Sequence, residues 1–257
     1  MERLNQSTKK GLSKQQILFW GMLFLLAGMF GRSFLQIRVL QIGTITSKQL
    51  LEMMSASGAA AAAATAALVM QALETCAIPV FAFLLVNGYE KCQSRKKMLL
   101  SLLAAAVVSE IPYNYAMCGE FLYMRSRNPA VVMVVGMVVL YFFHRYSGNS
   151  FQNVLVKTFV GLAAVLWAVM LNIEHGVALL VVTMVMWALR RKKHLLTLFG
   201  GVAAAACALI SPFYIVSAMG ILPVHLCREE DQTDMKIFYY LLYPILLSVV
   251  GLLSNFI

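Results

Sequence analysis

Glu74-Thr75-Cys76-Ala77-Ile78-Pro79-Val80-Phe81-Ala82-Phe83-Leu84-Leu85-Val86-Asn87-Gly88-Tyr89 is the stretch whose reading decides the fold class. It closes an apolar run that opens near Met53 and contains the alanines Ala59–Ala64. About 20 residues carry a helix across a hydrocarbon core about 30 Å thick. The run from Met53 to Tyr89 is much longer than that, so one straight crossing does not fit. Pro79 has no amide donor, and its ring clashes with the turn before it. The segment Glu74–Pro79 is therefore expected to break or kink the helix. A broken helix at membrane depth persists only where it is buried or lines a cavity. The alanines offer the close backbone approach that helices in lipid use for packing.

The rest of the chain agrees with a membrane setting. Of its 257 residues, 61% are hydrophobic and 12% are charged, with a mean hydropathy of +0.78. A soluble domain carries about 25% charged residues, and a core of this size could not hide so much apolar surface. Further apolar runs lie at Ile17–Phe30, Met98–Ala116, Pro129–Phe143, Val154–Leu171, Val177–Leu189, Leu195–Leu222 and Ile237–Leu253. The expected fold is all-α: one integral membrane domain over residues 1–257, a polytopic transmembrane helical bundle of about eight spans with a kinked or broken second helix. Lys9, Lys10 and Lys14 ahead of the first run mimic a signal peptide. No small-residue cleavage site follows, so a retained span is expected.

The net charge of +10 does not point to nucleic acid, because the basic residues cluster between apolar runs, where they set topology. With residues 1–15 in the cytoplasm, the inner segments hold Arg3, Lys9, Lys10 and Lys14, then Lys91 and Arg95–Lys97, then Arg145 and Lys157, then Arg190–Lys193. The outer segments hold only Lys48, Arg125, Arg127, Arg228 and Lys236. This asymmetry predicts both ends inside, in a bacterial-type inner membrane, with the lipid bilayer as the first partner. Cys118 and Cys227 fall in loops expected outside, where a disulfide is open. No cysteine or histidine pair has metal-ligand spacing, so no metal is expected. No phosphate loop, dinucleotide fingerprint or nucleophile elbow is present.

Ionisable groups inside apolar runs are costly and often mark function. Arg32 either snorkels from the end of the first span or binds substrate. Glu74 is either a functional carboxylate at the break or a capped helix end. Glu110, in Ser109-Glu110-Ile111-Pro112-Tyr113-Asn114, is either a buried proton donor or base, or half of a packing ion pair with a cation such as Arg32. Glu174 and His175 are either a solvated turn or a proton-transfer pair at the membrane face.

The stretch from Ile78 to Tyr89 is similar to a Pro-x-Phe run with a closing Gly-Tyr found in TraX-type membrane proteins, whose namesake acetylates a pilin N-terminus. Ser109-Glu110-Ile111-Pro112-Tyr113, Leu171-Asn172-Ile173-Glu174-His175-Gly176 and Phe238-Tyr239-Tyr240-Leu241-Leu242-Tyr243-Pro244 resemble that family's later motifs, in the family's order. The resemblance implies acyl transfer onto an amine or hydroxyl, such as a pilin N-terminus or another envelope component. It also implies acetyl-CoA or another acyl-CoA as donor. The site it implies has Glu110, Glu174 and His175 as catalytic groups, and Arg32, Glu74, Tyr113 and Tyr243 as substrate-binding ones.

Five departures weigh against chemistry. The first span has neither the family's Asp nor its His. Thr75, Asn87, Asn114 and Leu246 stand where the family carries ionisable residues. Acyl transfer needs a base and donors for the developing oxyanion. Without the first-span His, this chain must use Glu110 or His175, or must not catalyse. A non-catalytic membrane scaffold or partner-binding protein is therefore the second reading. A small transporter is the third, weakened by the lack of a repeat between the halves.

Overall fold

The computed structural model describes residues 11–42, 45–118, 121, 127–228 and 237–256, and among these the regular structure is helical, with isolated bridges and no strands. Among these residues, four helices are long and apolar enough to cross a membrane: Lys14–Val39, Gly58–Lys91, Arg95–Met117 and Phe151–Met170. Shorter apolar helices occupy Ala130–Arg145, Gly176–Leu189, Lys193–Leu209, Pro212–His225 and Leu242–Leu253.

Helix α1 (Lys14–Phe30) starts at a capping box, in which Ser13 and Gln16 satisfy each other's backbone N–H. It does not stop at Phe30 as its apolar run suggests. It continues as a π-helix over Gly31–Val39, because Arg32 has buried partners and need not reach water. After α2 (Ser47–Ala56), α3 (Gly58–Thr75) and α4 (Ala77–Lys91) form the long broken helix. The joint is Cys76, as the Glu74–Pro79 segment predicts. Pro79 falls in the first turn of α4, where a missing donor costs nothing.

Contacts between glycines and their neighbours fix the helix directions. Gly21 packs on Val80 and Phe81, and Gly31 on Met70, so α1 runs antiparallel to α3 and α4. α5 (Arg95–Cys118) turns back from α4, with Met98 against Gly88. Gly136 of α6 (Ala130–Arg145) meets Leu85 and Leu180. α7 (Phe151–Met170) leads to α8 (Gly176–Leu189), and it presents Phe159, Leu162, Leu166 and Trp167 outward, as a lipid-facing helix does. Tyr89, His144 and Trp187 gather the ends of α4, α6 and α8, and Arg95 lies 4.6 Å above the Tyr89 ring. This end of the bundle, with Lys14, Lys91, Lys97 and Arg190–Lys193, is its basic face.

One expected span is not a single crossing. Leu195–Leu222 divides into α9 (Lys193–Ala206), a short 3-10 turn, and a second limb. That limb is a 3-10 helix, Pro212–Gly220, running into α10 (Ile221–His225). Ser211 is extended and Pro212 cannot continue a helix, so the chain doubles back. The Lys193 ammonium donates to the Cys227 carbonyl at 2.7 Å, the Leu12 N–H to Leu226 at 2.7 Å, and the Arg228 N–H to Leu12 at 2.9 Å. Arg228 therefore sits on the basic face with the N-terminal segment, not on the opposite face where counting eight spans puts it. Hydropathy reads through the break because both flanks are apolar. The side chain of Cys118 lies outside the described residues, and so does its pairing with Cys227.

α11 (Ile237–Phe256) runs alongside α5 in the same sense, with Tyr243 tied through Asn128 to Ser109, and Gly251 on Tyr115 and Ala116. α1 and α5 both oppose α4. α11 thus runs away from the basic face where α1 begins, whereas the count of eight spans brings both ends to one face.

Candidate functional site

The site forms where four irregular pieces of backbone meet. The first is the α3–α4 joint, which carries Glu74. The second is the π-helical turn with Arg32. The third is the α7–α8 turn with Glu174 and His175, where Asn172 (φ 47°) and His175 (φ 55°) both occupy the left-handed region. The fourth is the 3-10 segment with Tyr214. Non-α turns and left-handed non-glycine residues concentrate at functional sites because a site over-determines them.

Two close approaches make the joint. A Cβ on Gly28 would overlap the Glu74 side chain, so α1 leaves room for a buried carboxylate only by having a glycine there. A Cβ on Gly220 would overlap the Cys76 carbonyl, so the 3-10 segment lies flush against the joint. Thr75 and Cys76 both donate from their side chains to carbonyls of that segment, Phe213 and Val216.

Five residues that the sequence singled out converge here. Arg32 pairs with Glu174 and stands 3.7 Å from Glu74. The Tyr113 hydroxyl donates to Glu174 at 2.6 Å. His175 Nε2 lies 3.7 Å from Glu74, beyond hydrogen-bond length, and Nδ1 meets the Tyr214 hydroxyl at 2.9 Å. The side chains of Glu74, Glu174 and His175 are 5%, 16% and 15% exposed, so the charges must compensate one another. Two carboxylates face one guanidinium, which leaves one negative charge for a protonated His175. Burial alone would lower the imidazole pKa, but Glu74 and Glu174 outweigh it and hold His175 above the ordinary histidine range. For Glu174, burial pushes upward, and Arg32, His175 and Tyr113 together bring it below the usual carboxylate value.

Glu110 and Tyr243 sit in a neighbouring network. Glu110 accepts from Arg127 at 3.2 Å, so its cation is Arg127 and not Arg32. Buried Asn128 donates to Ser109 and accepts from Tyr243 at 2.9 Å, which ties together α5, the start of α6 and α11. Arg127 also bridges in backbone to the α7–α8 turn, through its N–H to Asn172 at 3.2 Å.

A cavity of about 580 Å³ connects the site to the basic face. Glu74, Glu174, His175 and Tyr243 line its deep end, and Lys14, Lys91 and Lys97 its mouth, with apolar walls from Leu18, Met22 and Phe81 between. An apolar channel with few polar groups at its end is the usual form of a small-molecule site. Ligand atoms of Glu74, Glu174 and His175 lie within 4.8 Å of one another, a spacing a metal ion could use. The Arg32 guanidinium already supplies the positive charge there.

Tyr214 was missed from sequence. Its one signal was a tyrosine just past Ser211-Pro212 inside a long apolar run.

The family described as TraX protein matches over residues 39–254, a match that begins after α1. No curated protein and no solved structure matches the chain.

Proposed function

Since the chain belongs to the TraX family, we propose that it is a membrane acyltransferase whose donor enters from the basic face and reacts beside His175. The observation that carries this reading is the cavity that joins a lysine-rimmed mouth to Glu74, Glu174 and His175. Lysines at the mouth suit the phosphates of acyl-CoA, and the apolar walls suit its thioester arm. The positive-inside rule makes the basic face cytoplasmic, which is where such a donor is found.

In this reading His175 Nδ1–H donates to Tyr214, which leaves the lone pair on Nε2, the nitrogen 3.7 Å from Glu74, as the base. Nε2 takes a proton from the acceptor amine as its nitrogen attacks the thioester carbonyl. Arg32 and the Tyr113 hydroxyl, both held on Glu174, act from behind the cavity wall and fix the Glu174 carboxylate at its deep end. The tetrahedral adduct collapses to an amide, the C–S bond breaks, and the CoA thiolate leaves with the proton that His175 returns. Glu74 holds the imidazolium between those steps. Acceptors of the right chemistry are a pilin N-terminus, another envelope amine or a hydroxyl.

The test is acetyl transfer from labelled acetyl-CoA by the full chain in proteoliposomes carrying candidate acceptors. Release of CoA thiol is followed in the parent, His175→Ala and Glu110→Gln. Loss with His175→Ala and retention with Glu110→Gln supports the site. Equal turnover in parent and His175→Ala sinks it.

A scaffold reading is favoured by one observation: α1 carries no Asp-His, and the family match starts only at residue 39. It predicts no turnover with any donor, together with a partner that co-purifies and is lost when Arg32 or Glu174 is changed.

A further inference from the structure

A second cleft, of about 250 Å³, opens on the basic face beside the mouth of the main cavity, with Asn87 and Lys91 in both linings. It lies where α4 ends, α8 passes into α9, and α10 returns. Phe83, Val86, Leu196 and Val224 form its inner wall. Among the described residues, Lys91, Arg190, Arg191, Lys193 and Arg228 surround it, against the carboxylate of Glu90. Glu90 lies 3.5 Å from Arg190, the Lys193 ammonium is held by the Cys227 carbonyl, and Arg228 Nε by the Gly11 carbonyl. Arg190 is also fixed over the Trp187 ring at 3.9 Å and donates to the Trp187 carbonyl at 2.8 Å. The rim is thus built in place and carries excess positive charge. Buried Asn87 Oδ1 has no hydrogen-bond partner there, and the Arg190 Nε faces only the Glu90 carboxylate, at 3.5 Å.

We propose that this cleft binds the phosphate headgroup of an anionic phospholipid. A basic rim alone would suit any phosphate. The apolar wall directly beneath it suits an amphiphile whose chains continue into the hydrocarbon, and basic pockets between helices on this side of a membrane take such headgroups. The bound lipid would also wall one side of the cavity mouth through Lys91 and Asn87. The inference rests on the membrane setting and is independent of acyl transfer.

The experiment uses the full chain in nanodiscs and in detergent. Native mass spectrometry after exchange into equal phosphatidylglycerol and phosphatidylcholine is expected to retain phosphatidylglycerol at least tenfold over phosphatidylcholine. Arg191→Gln, at an exposed rim position, is expected to cut that preference about fivefold, the effect of one surface charge on anionic lipid. Thermal unfolding in detergent supplies the second measurement, with a midpoint that rises on adding phosphatidylglycerol and not phosphatidylcholine. Equal retention of the two lipids overturns the proposal, as does an unchanged preference in Arg191→Gln. Protection by inorganic phosphate or free CoA equal to that of the lipid also overturns it, in favour of a soluble phosphate ligand. Acetyl transfer is not read, so failure here leaves the acyltransferase reading to its own test.

Discussion

Replacing Arg32 by Gln should destabilise the bundle through Glu174 rather than through lost packing. Arg32 pairs with Glu174 and lies 3.7 Å from Glu74, so the substitution leaves two buried carboxylates facing only His175. Removing one partner of a buried pair costs about 3–5 kcal/mol. The two side chains keep 21% and 16% of their exposure, which screens part of the charge and favours the lower end, about 3 kcal/mol. Glu174→Gln alone should cost somewhat less, because the Tyr113 hydroxyl can turn to the amide oxygen. The double variant loses both charges, and its cost should fall short of the sum of the singles by about 2 kcal/mol, a coupling within the range of contacting pairs. The assay is unfolding in mixed micelles with rising dodecyl sulfate, followed by tryptophan fluorescence, to which buried Trp187 contributes. Additivity of the two single changes within about 0.5 kcal/mol would refute the reasoning, and so would a near-neutral Arg32→Gln.

Other consequences follow from the same geometry. Gly28→Ala should cost about 1–3 kcal/mol by overpacking against Glu74, and acyl transfer should fall with it. Gly58→Ala, where an added Cβ meets nothing within 4 Å, should be neutral or stabilising in the same unfolding assay. The acid limb of the pH–rate profile should lie above the ordinary histidine range, since His175 must be neutral to act and its pKa is raised. Glu74→Gln removes a group that raises it and should move that limb to lower pH. A limb that stays put, or moves upward, contradicts the assignment of His175 as base. In a background without other reactive cysteines, Arg228→Cys and Asn149→Cys should be labelled by an impermeant maleimide from the same side, and Asn172→Cys from the other.

The membrane class, the broken second helix and the family were all legible in the sequence, because each rests on local features. These are apolar run length, the Pro79 break and the ordered motifs from Ile78 to Pro244. Four members of the cluster, Arg32, Glu74, Glu174 and His175, were singled out individually as polar groups in or beside apolar runs, and Tyr113 through the family resemblance. Their convergence was not legible. Glu174 and His175 are neighbours whose directions on a helix would diverge by about 100°, but they lie in a turn with a left-handed His175, where helix geometry does not apply. The partner of Glu110 was out of reach too, since Arg127 lies in a loop that hydropathy treats as solvent. The hairpin from Lys193 to His225 escaped because window averages weigh apolarity and ignore direction, so Ser211-Pro212 passes as a kink.

That hairpin also bears on how the protein is made. An insertion machine that reads segments of about 20 apolar residues meets two limbs, each shorter than that. They must enter as a pair, with Arg190–Lys193 and Arg228 holding both feet on one side. Healing the break, as Pro212→Ala would tend to do, offers the machine one long segment instead. The one later helix, α11, would then be expected to insert in the opposite sense, with Tyr243 unable to reach Asn128. On the topology proposed here, Pro212 would set the direction in which α11 crosses.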